Sequence, residues 1–191
     1  MEINHAFSTF VAFEKLEISN RQKVIDFCYR EVNKGPKDGV PQSGFFDLED
    51  PVLSELNRKI TDKLNELHKA LDLNDYVVQK LKEGWANINI APAIGEPHCH
   101  PDRFFSCVYY PQVDGSSCLT FMNPNPAHIH NVRPKNCNLD KLNPFTTPQY
   151  RVIPEDDLLV LFPSYLWHFA MQAQGTKDRI SMAFNSDMEP V

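Results

Sequence analysis

Three short runs of residues could together hold a metal ion and an acidic ligand: His98-Cys99-His100-Pro101-Asp102, a lone His168 on a late apolar stretch, and Arg179-Ile180-Ser181 eleven residues beyond it. The first two offer imidazole and carboxylate donors for one divalent ion. The third pairs a guanidinium fork with a hydroxyl, a good receptor for a carboxylate. Alternate side chains of a strand point the same way, so His98 and His100 can share an ion, and so can His100 and Asp102. Either pair needs a third donor from elsewhere, and His168 is the best placed. Two histidines and one carboxylate leave positions open on iron for a chelating ligand and dioxygen. Zinc is the rival ion, but no helical His-Glu-x-x-His run is present to supply a glutamate base.

A single His-x-His run carries little weight, because histidines often only complete hydrogen bonds in a core. His128-Ile129-His130 has the same spacing, yet it falls in a proline-rich stretch and reads as a surface or substrate-facing pair. His5 and His68 have no partners at useful spacing. The weight comes from the third run. Ile180, Met182 and Phe184 alternate with Arg179, Ser181, Ala183 and Asn185, so a polar set fills one face of a strand, as a ligand-filled barrel mouth requires. Trp85, Asn87 and Asn89 also share a face and are candidates for packing and hydrogen bonds around a ligand.

The elements that must position these groups fall in two parts. Residues 1–84 read as helical and residues 85–191 as strands, which predicts one mainly β domain with N-terminal helices packed on or beside it. After an apolar lead with Phe7, Phe10, Val11 and Phe13, a first helix starts near Ser19 or Asn20, turns Val24, Phe27 and Cys28 inward and stops at Gly35-Pro36. Asp50 caps a second, with Pro51 at its first position and Leu53, Leu56, Ile60, Leu64, Leu67 and Leu71 along one face. A third, short helix is expected from Tyr76 to Lys82, ending at Gly84. From Trp85 the period changes to two. Further strands are expected at 98–100, 104–111, 118–122, 150–153, 158–162, 167–173 and 179–185. Gly115-Ser116, Pro154-Glu155-Asp156-Asp157 and Gly175-Thr176 supply turns. Eight such strands suit a double-sheet jelly roll whose mouth can hold a metal and a small ligand. Residues 123–149 carry five prolines and no apolar period, and read as one long loop over that mouth, with Gly39 to Phe46 as a second part of the rim.

With 191 residues, 42% of them hydrophobic, the chain is long enough for one sizeable core. A net charge of -6 argues against nucleic acid as the main partner, and no apolar run approaches the roughly 20 residues of a membrane helix. Five cysteines with no CxxC pair and no secretion signal fit a reducing cytoplasm.

Over residues 85–185 the chain resembles the 2-oxoglutarate-dependent non-haem iron oxygenases, in particular a subgroup of marine bacteria and their phages. The motifs that carry the resemblance are Trp85-Ala86-Asn87-Ile88-Asn89, His98-x-His100-Pro101, Ser106-Cys107-Val108-Tyr109-Tyr110, Leu161-Phe162-Pro163-Ser164 with Leu166 and His168, and Arg179-Ile180-Ser181 leading to Phe184-Asn185. The resemblance implies a double-stranded β-helix (jelly roll), with Fe(II) held by ligands on its second and seventh strands. It also implies 2-oxoglutarate with its distal carboxylate at Arg179 and Ser181 and a family tyrosine, Tyr110 or Tyr109, reaching the same cosubstrate. Most such enzymes use His-x-Asp, here His100 and Asp102, whereas the subgroup shows His-x-His-Pro, which favours His98 and His100. We favour the three-histidine set, with Asp102 orienting a histidine. The implied activity is hydroxylation of a small molecule, a peptide or a protein side chain.

Two other classes fit parts of the pattern. A cupin-type dioxygenase or isomerase shares the jelly roll and His-x-His, but it requires a glutamate a few residues later, where this chain has Phe104 and Phe105. A non-catalytic jelly roll that binds carbohydrate or peptide would leave the histidines structural.

Overall fold

The structure, a computed structural model, describes residues 9–33, 42–89, 95–113, 118–125, 147–171 and 178–191. Among these are nine strands: β1 (Ala12–Lys15), β2 (Gln42–Phe45), β3 (Val77–Asn89), β4 (Phe105–Gln112), β5 (Leu119–Met122), β6 (Gln149–Val152), β7 (Leu158–Pro163), β8 (His168–Ala170) and β9 (Arg179–Pro190). Two helices, α1 (Arg21–Val32) and α2 (Ser54–Ala70), lie between the early strands, and a 3-10 turn over Pro51–Leu53 leads into α2. The expected turns at Gly35-Pro36, Gly115-Ser116 and Gly175-Thr176, the pair His128 and His130, and most of the proline-rich loop lie outside the described residues.

All pairings are antiparallel. Six strands form one sheet in the order β1-β7-β4-β9-β3-β2, and three form a second in the order β6-β5-β8. A single bridge between His98 and His168 extends the second sheet by one residue pair. These two sheets, facing each other, make a double-stranded β-helix, as expected.

Period two on β9 divides the apolar residues between two cores. Ile180, Met182 and Phe184 pack with Val24, Phe27, Leu56, Ile60 and Leu64, the inward residues of the helices. Ala183 packs with Val108, Tyr110, Phe121, Phe162 and Leu166 between the sheets. The helices therefore buttress the outer face of the large sheet, and the interior face is left for the site. Their sequence signals operate as read. Asn20 precedes α1, the Asp50 carboxylate accepts from the Val52 amide, and Leu56, Ile60 and Leu64 are fully buried along α2.

The expected third helix does not form. Residues 77–84 instead extend β3, pairing with 184–190 of β9, so the early part of the chain also contains β1, β2 and half of the longest ladder. The β-branched Val77 and Val78 and the alternation of buried Gln79 with exposed Lys80 and Lys82 fit a strand; partner residues more than a hundred positions away override the local helical tendency. Gly84 is therefore no helix stop. A Cβ there would lie 2.6 Å from Cε2 of Phe46 and 3.1 Å from Cδ1 of Phe184. Phe46 is itself wedged edge-on between Phe27 and Phe184, with ring centroids at 5.3 and 5.6 Å. Gly84→Ala is accordingly expected to lower stability by about 1–3 kcal/mol in urea unfolding, because the overpacked aromatic cluster outweighs the entropy gained from losing a glycine.

Candidate metal centre

The His98–His168 bridge makes two backbone hydrogen bonds, His98 N–H to His168 O at 3.0 Å and His168 N–H to His98 O at 2.9 Å. Directly paired residues carry their side chains on the same face, so both imidazoles meet on one side. His100 is brought in by its own amide, which donates to the Ser164 carbonyl at 2.8 Å. The three rings have centroids 4.5, 5.1 and 5.4 Å apart, and one nitrogen of each lies within 4.8 Å of the others.

Hydrogen bonding selects the nitrogens. His98 Nδ1 donates to the Glu96 carbonyl at 2.7 Å and His168 Nδ1 to the Leu166 carbonyl at 2.8 Å. That fixes the tautomer and leaves Nε2 with a lone pair in each, the arrangement of metal-ligating histidines. Burial pushes the His168 imidazole down to about 3 and His100 down to about 4, and the neighbouring histidines push the same way. Both are therefore neutral near pH 7, the form in which imidazole binds a metal. This donor set suits a divalent first-row ion such as iron.

The depressed pKa values also bear on stability. Below the ordinary value of about 6.5 the unfolded chain takes up protons that the folded chain refuses until about pH 4. Stability of the metal-free protein should thus fall with falling pH across that window, by about 1.4 kcal/mol per pH unit for each proton. Urea unfolding at about pH 7 and 5 is expected to show a larger loss for wild type than for His168→Gln. Equal losses would contradict the burial argument.

Asp102 is not part of the imidazole group. Pro101 and Asp102 turn the chain away after His100, the Arg103 amide closes that turn on the His100 carbonyl at 3.2 Å, and Asp102 is exposed. The strand expected from His98 to His100 is reduced to the one bridge, so the alternation needed to bring Asp102 to the same ion as His100 does not continue.

Ser181, Arg179 and Asn87 are brought to the interior face. Arg179 and Ser181 share the parity of Ala183 on β9, and Asn87 and Trp85 sit opposite Ser181 and Ala183 on β3. Arg179 is 2% exposed, heading the largest fully buried side chains. The two candidate tyrosines separate. Tyr110 packs in the interior core, its hydroxyl pushed up to about 12 by burial with the nearby Arg179 acting against that shift. Tyr109 faces the helices and donates to Asp157 at 2.7 Å. The space between the sheets thus receives a buried cation with a tyrosine and a serine from the large sheet, and the three imidazoles from β8 and the segment bridged to it.

Around His100 the structure brings Trp85, expected beside a ligand, and Phe45 from the expected rim, and it adds Glu83, which sequence reasoning missed. The Trp85 ring lies 5.3 Å from the His100 ring, and Phe45, 74% exposed on the edge strand β2, lies 5.8 Å from Trp85. Glu83, hidden by the expected helix, is close enough for its charge to act on the His100 imidazole. A separate cavity of about 780 Å³ between β1, β6 and the turn before β8 reaches Phe121 and Leu166, but none of the three imidazoles lines it.

None of the curated proteins compared with the chain matches it. Solved structures do. A Pseudomonas putida prolyl-4-hydroxylase superposes with a TM-score of 0.60 over 93% of this chain and 92% of its own, at 14% identity. HygX from Streptomyces hygroscopicus, solved with nickel and 2-oxoglutarate bound, gives 0.61 over 94% and 83%, at 15% identity. The non-haem α-ketoglutarate-dependent epimerase SnoN from nogalamycin biosynthesis gives 0.65 over 93% and 78%, at 10% identity. At these identities the likeness shows the double-stranded β-helix. The sequence itself matches, over residues 83–185 and hence more than half its length, the model of the family described as "Putative 2OG-Fe(II) oxygenase". That segment runs from the strand bearing Trp85 and Asn87, through the imidazole group, to Asn185 on β9, and the chain belongs to the 2-oxoglutarate- and Fe(II)-dependent oxygenase family.

Proposed function

We propose that the reaction this family member carries out is hydroxylation of a C–H bond, with His98, His100 and His168 as the iron ligands and Arg179, Ser181, Tyr110 and Asn87 as the receptor of 2-oxoglutarate. The observation that carries this assignment is the convergence of three imidazoles, two with Nδ1 committed to carbonyls, from the small-sheet side of an interior into which the large sheet carries a buried guanidinium. Bound iron and 2-oxoglutarate supply the oxidising chemistry, in which dioxygen and the 2-oxo acid give succinate, carbon dioxide and one oxygen atom for the substrate.

The chain's own residues orient and exclude. The Arg179 fork and the Ser181 hydroxyl, two apart on one face, would grip the distal carboxylate, and Tyr110 would donate to it from β4. Burial of this end keeps water from the anion and strengthens the grip. His98, the most exposed of the three histidines, marks the side from which a substrate arrives, and the aromatic edge of Trp85 and Phe45 would meet it there. That edge favours a substrate with an apolar or ring-bearing face. Structures alike in fold include a prolyl-4-hydroxylase and HygX with hygromycin B bound, in keeping with either a prolyl-bearing or a small-molecule substrate.

Turnover tests the assignment. Iron-loaded protein is expected to form succinate from 2-oxoglutarate only in the presence of dioxygen, faster with a true substrate from a screen of peptides and small molecules. A protein that holds iron and 2-oxoglutarate yet forms no succinate with any of them would contradict it.

A further inference from the structure

Three of the motif residues lie beside the candidate metal centre without belonging to it: Ser106, Ser164 and Asn185. They are all buried, at 2%, 0% and 1% exposure, and Ser106 on β4 joins Asn185 on β9 to Ser164 in the turn after β7. The Ser106 hydroxyl donates to Asn185 Oδ1 at 2.6 Å and lies 2.8 Å from the Ser164 hydroxyl. Since the proton of Ser106 goes to Asn185, Ser164 must donate to Ser106. With Oδ1 fixed as acceptor, Asn185 Nδ2 donates outward to Glu83 Oε1 at 2.7 Å. The same carboxylate oxygen accepts from Arg103 Nε at 3.1 Å, and Arg103 also reaches Asp187 at 3.3 Å. These two hydrogen bonds, Arg103 first, hold the Glu83 carboxyl below the usual carboxylate range, so it is an anion.

Both ends of this relay close on His100. The Ser164 carbonyl accepts from the His100 amide, and the Arg103 amide donates to the His100 carbonyl. Among the described residues, His100 sits on no ladder, and apart from the bridge at His98 its segment has none of the regular pairing that fixes β8. The relay thus does for His100 what a sheet does for His168. It also places a carboxylate, ion-paired with Arg103, beside a group of three imidazoles, a site without a carboxylate ligand.

We propose that Asn185, Ser106 and Glu83 are positioning residues for the metal centre: the Ser164–Ser106–Asn185–Glu83–Arg103 relay clamps the backbone of His100, and Glu83 supplies the negative charge that a three-histidine site lacks. The supporting carboxylate expected at Asp102 is on this account Glu83, on β3. The inference rests on the proposed iron site, and it adds to it a set of residues that touch neither metal nor cosubstrate. Loss of an outer partner of a metal ligand typically costs about 10–100-fold in affinity.

The test uses Co(II) as the probe, because its visible spectrum reports coordination geometry as well as occupancy. In wild type, Co(II) is expected to bind and give a spectrum of a site with three imidazoles. Asn185→Ala is expected to raise the Co(II) dissociation constant by about 10-fold or more and to alter the spectrum, at a temperature where circular dichroism shows the variant folded. Ser106→Ala, which removes one hydroxyl, should do the same to a smaller degree and serves if Asn185→Ala does not fold. Glu83→Gln keeps an acceptor for Asn185 and removes the charge; weakened binding with an unchanged spectrum assigns the charge to Glu83. Folded Asn185→Ala or Ser106→Ala with wild-type Co(II) affinity and spectrum would overturn the clamp, and wild-type affinity in Glu83→Gln would overturn the charge role. Wild type that binds no Co(II) and no Fe(II) would instead bring down the iron site itself.

Discussion

Replacing His98 with alanine is expected to reduce Fe(II) affinity by more than about 100-fold, whereas Asp102→Ala is expected to leave it within about twofold. The two residues offer the same spacing from His100, so the contrast discriminates between the two ligand sets. His98 is held by its bridge to His168 and by its Nδ1 bond to Glu96, which aims Nε2 at the other two rings. Removing it takes away one of three donors from a group that shares a single focus. Asp102 is an exposed turn residue whose loss disturbs none of these bonds, and surface substitutions of that kind usually change little. The measurement is anaerobic equilibrium dialysis of Fe(II) against each variant. Loss of iron from Asp102→Ala would restore the histidine–carboxylate alternative.

Arg179→Ala is expected to weaken 2-oxoglutarate binding by about 30-fold or more while leaving Fe(II) affinity close to wild type. Truncating one partner of a buried, hydrogen-bonded charge pair costs about 2–5 kcal/mol, and Arg179 is 2% exposed on the interior face with Tyr110 and Ser181. Arg179→Lys should recover only part of the loss, since a lysine cannot make the two parallel hydrogen bonds of a guanidinium. Calorimetric titration of 2-oxoglutarate into the metal-loaded variants reads both effects. Equal loss of metal and cosubstrate would mean that Arg179 holds the fold together and does not receive the acid.

The parts of this arrangement that depend on local chemistry were readable from the residues. Asn20 before α1, Asp50 and Pro51 before α2 and the period-two alternation of β9 are each decided within a few positions, and each is found where it was expected. The face of β9 that carries Arg179 and Ser181 follows from that alternation alone. What was hidden depends on distant partners. Val77 to Glu83 is a strand because β9 continues to Pro190 alongside it, and beyond the β-branched pair Val77-Val78 and a short alternation nothing near residue 77 announces that. With β3 shortened to its second half, Glu83 fell at the end of an expected helix and its bonds to Arg103 and Asn185 could not be foreseen. Which of His98 and Asp102 the structure brings beside the other imidazoles turns on Pro101. A proline there ends the alternation, and the turn it begins carries Asp102 into solvent while His98 remains on the bridge. The separation of Tyr110 from Tyr109 likewise needed the sheet, because adjacent strand residues face opposite cores.

The most direct test of the central claim, that these imidazoles and this buried arginine form one iron and 2-oxoglutarate site, is an anaerobic titration of the wild-type protein with Fe(II) and 2-oxoglutarate, followed by visible absorbance. A weak charge-transfer band is expected only when both are present, saturating at one equivalent of each and disappearing in His168→Ala. Protein that binds Fe(II) but develops no band on addition of 2-oxoglutarate, or a band that survives in His168→Ala, would contradict it.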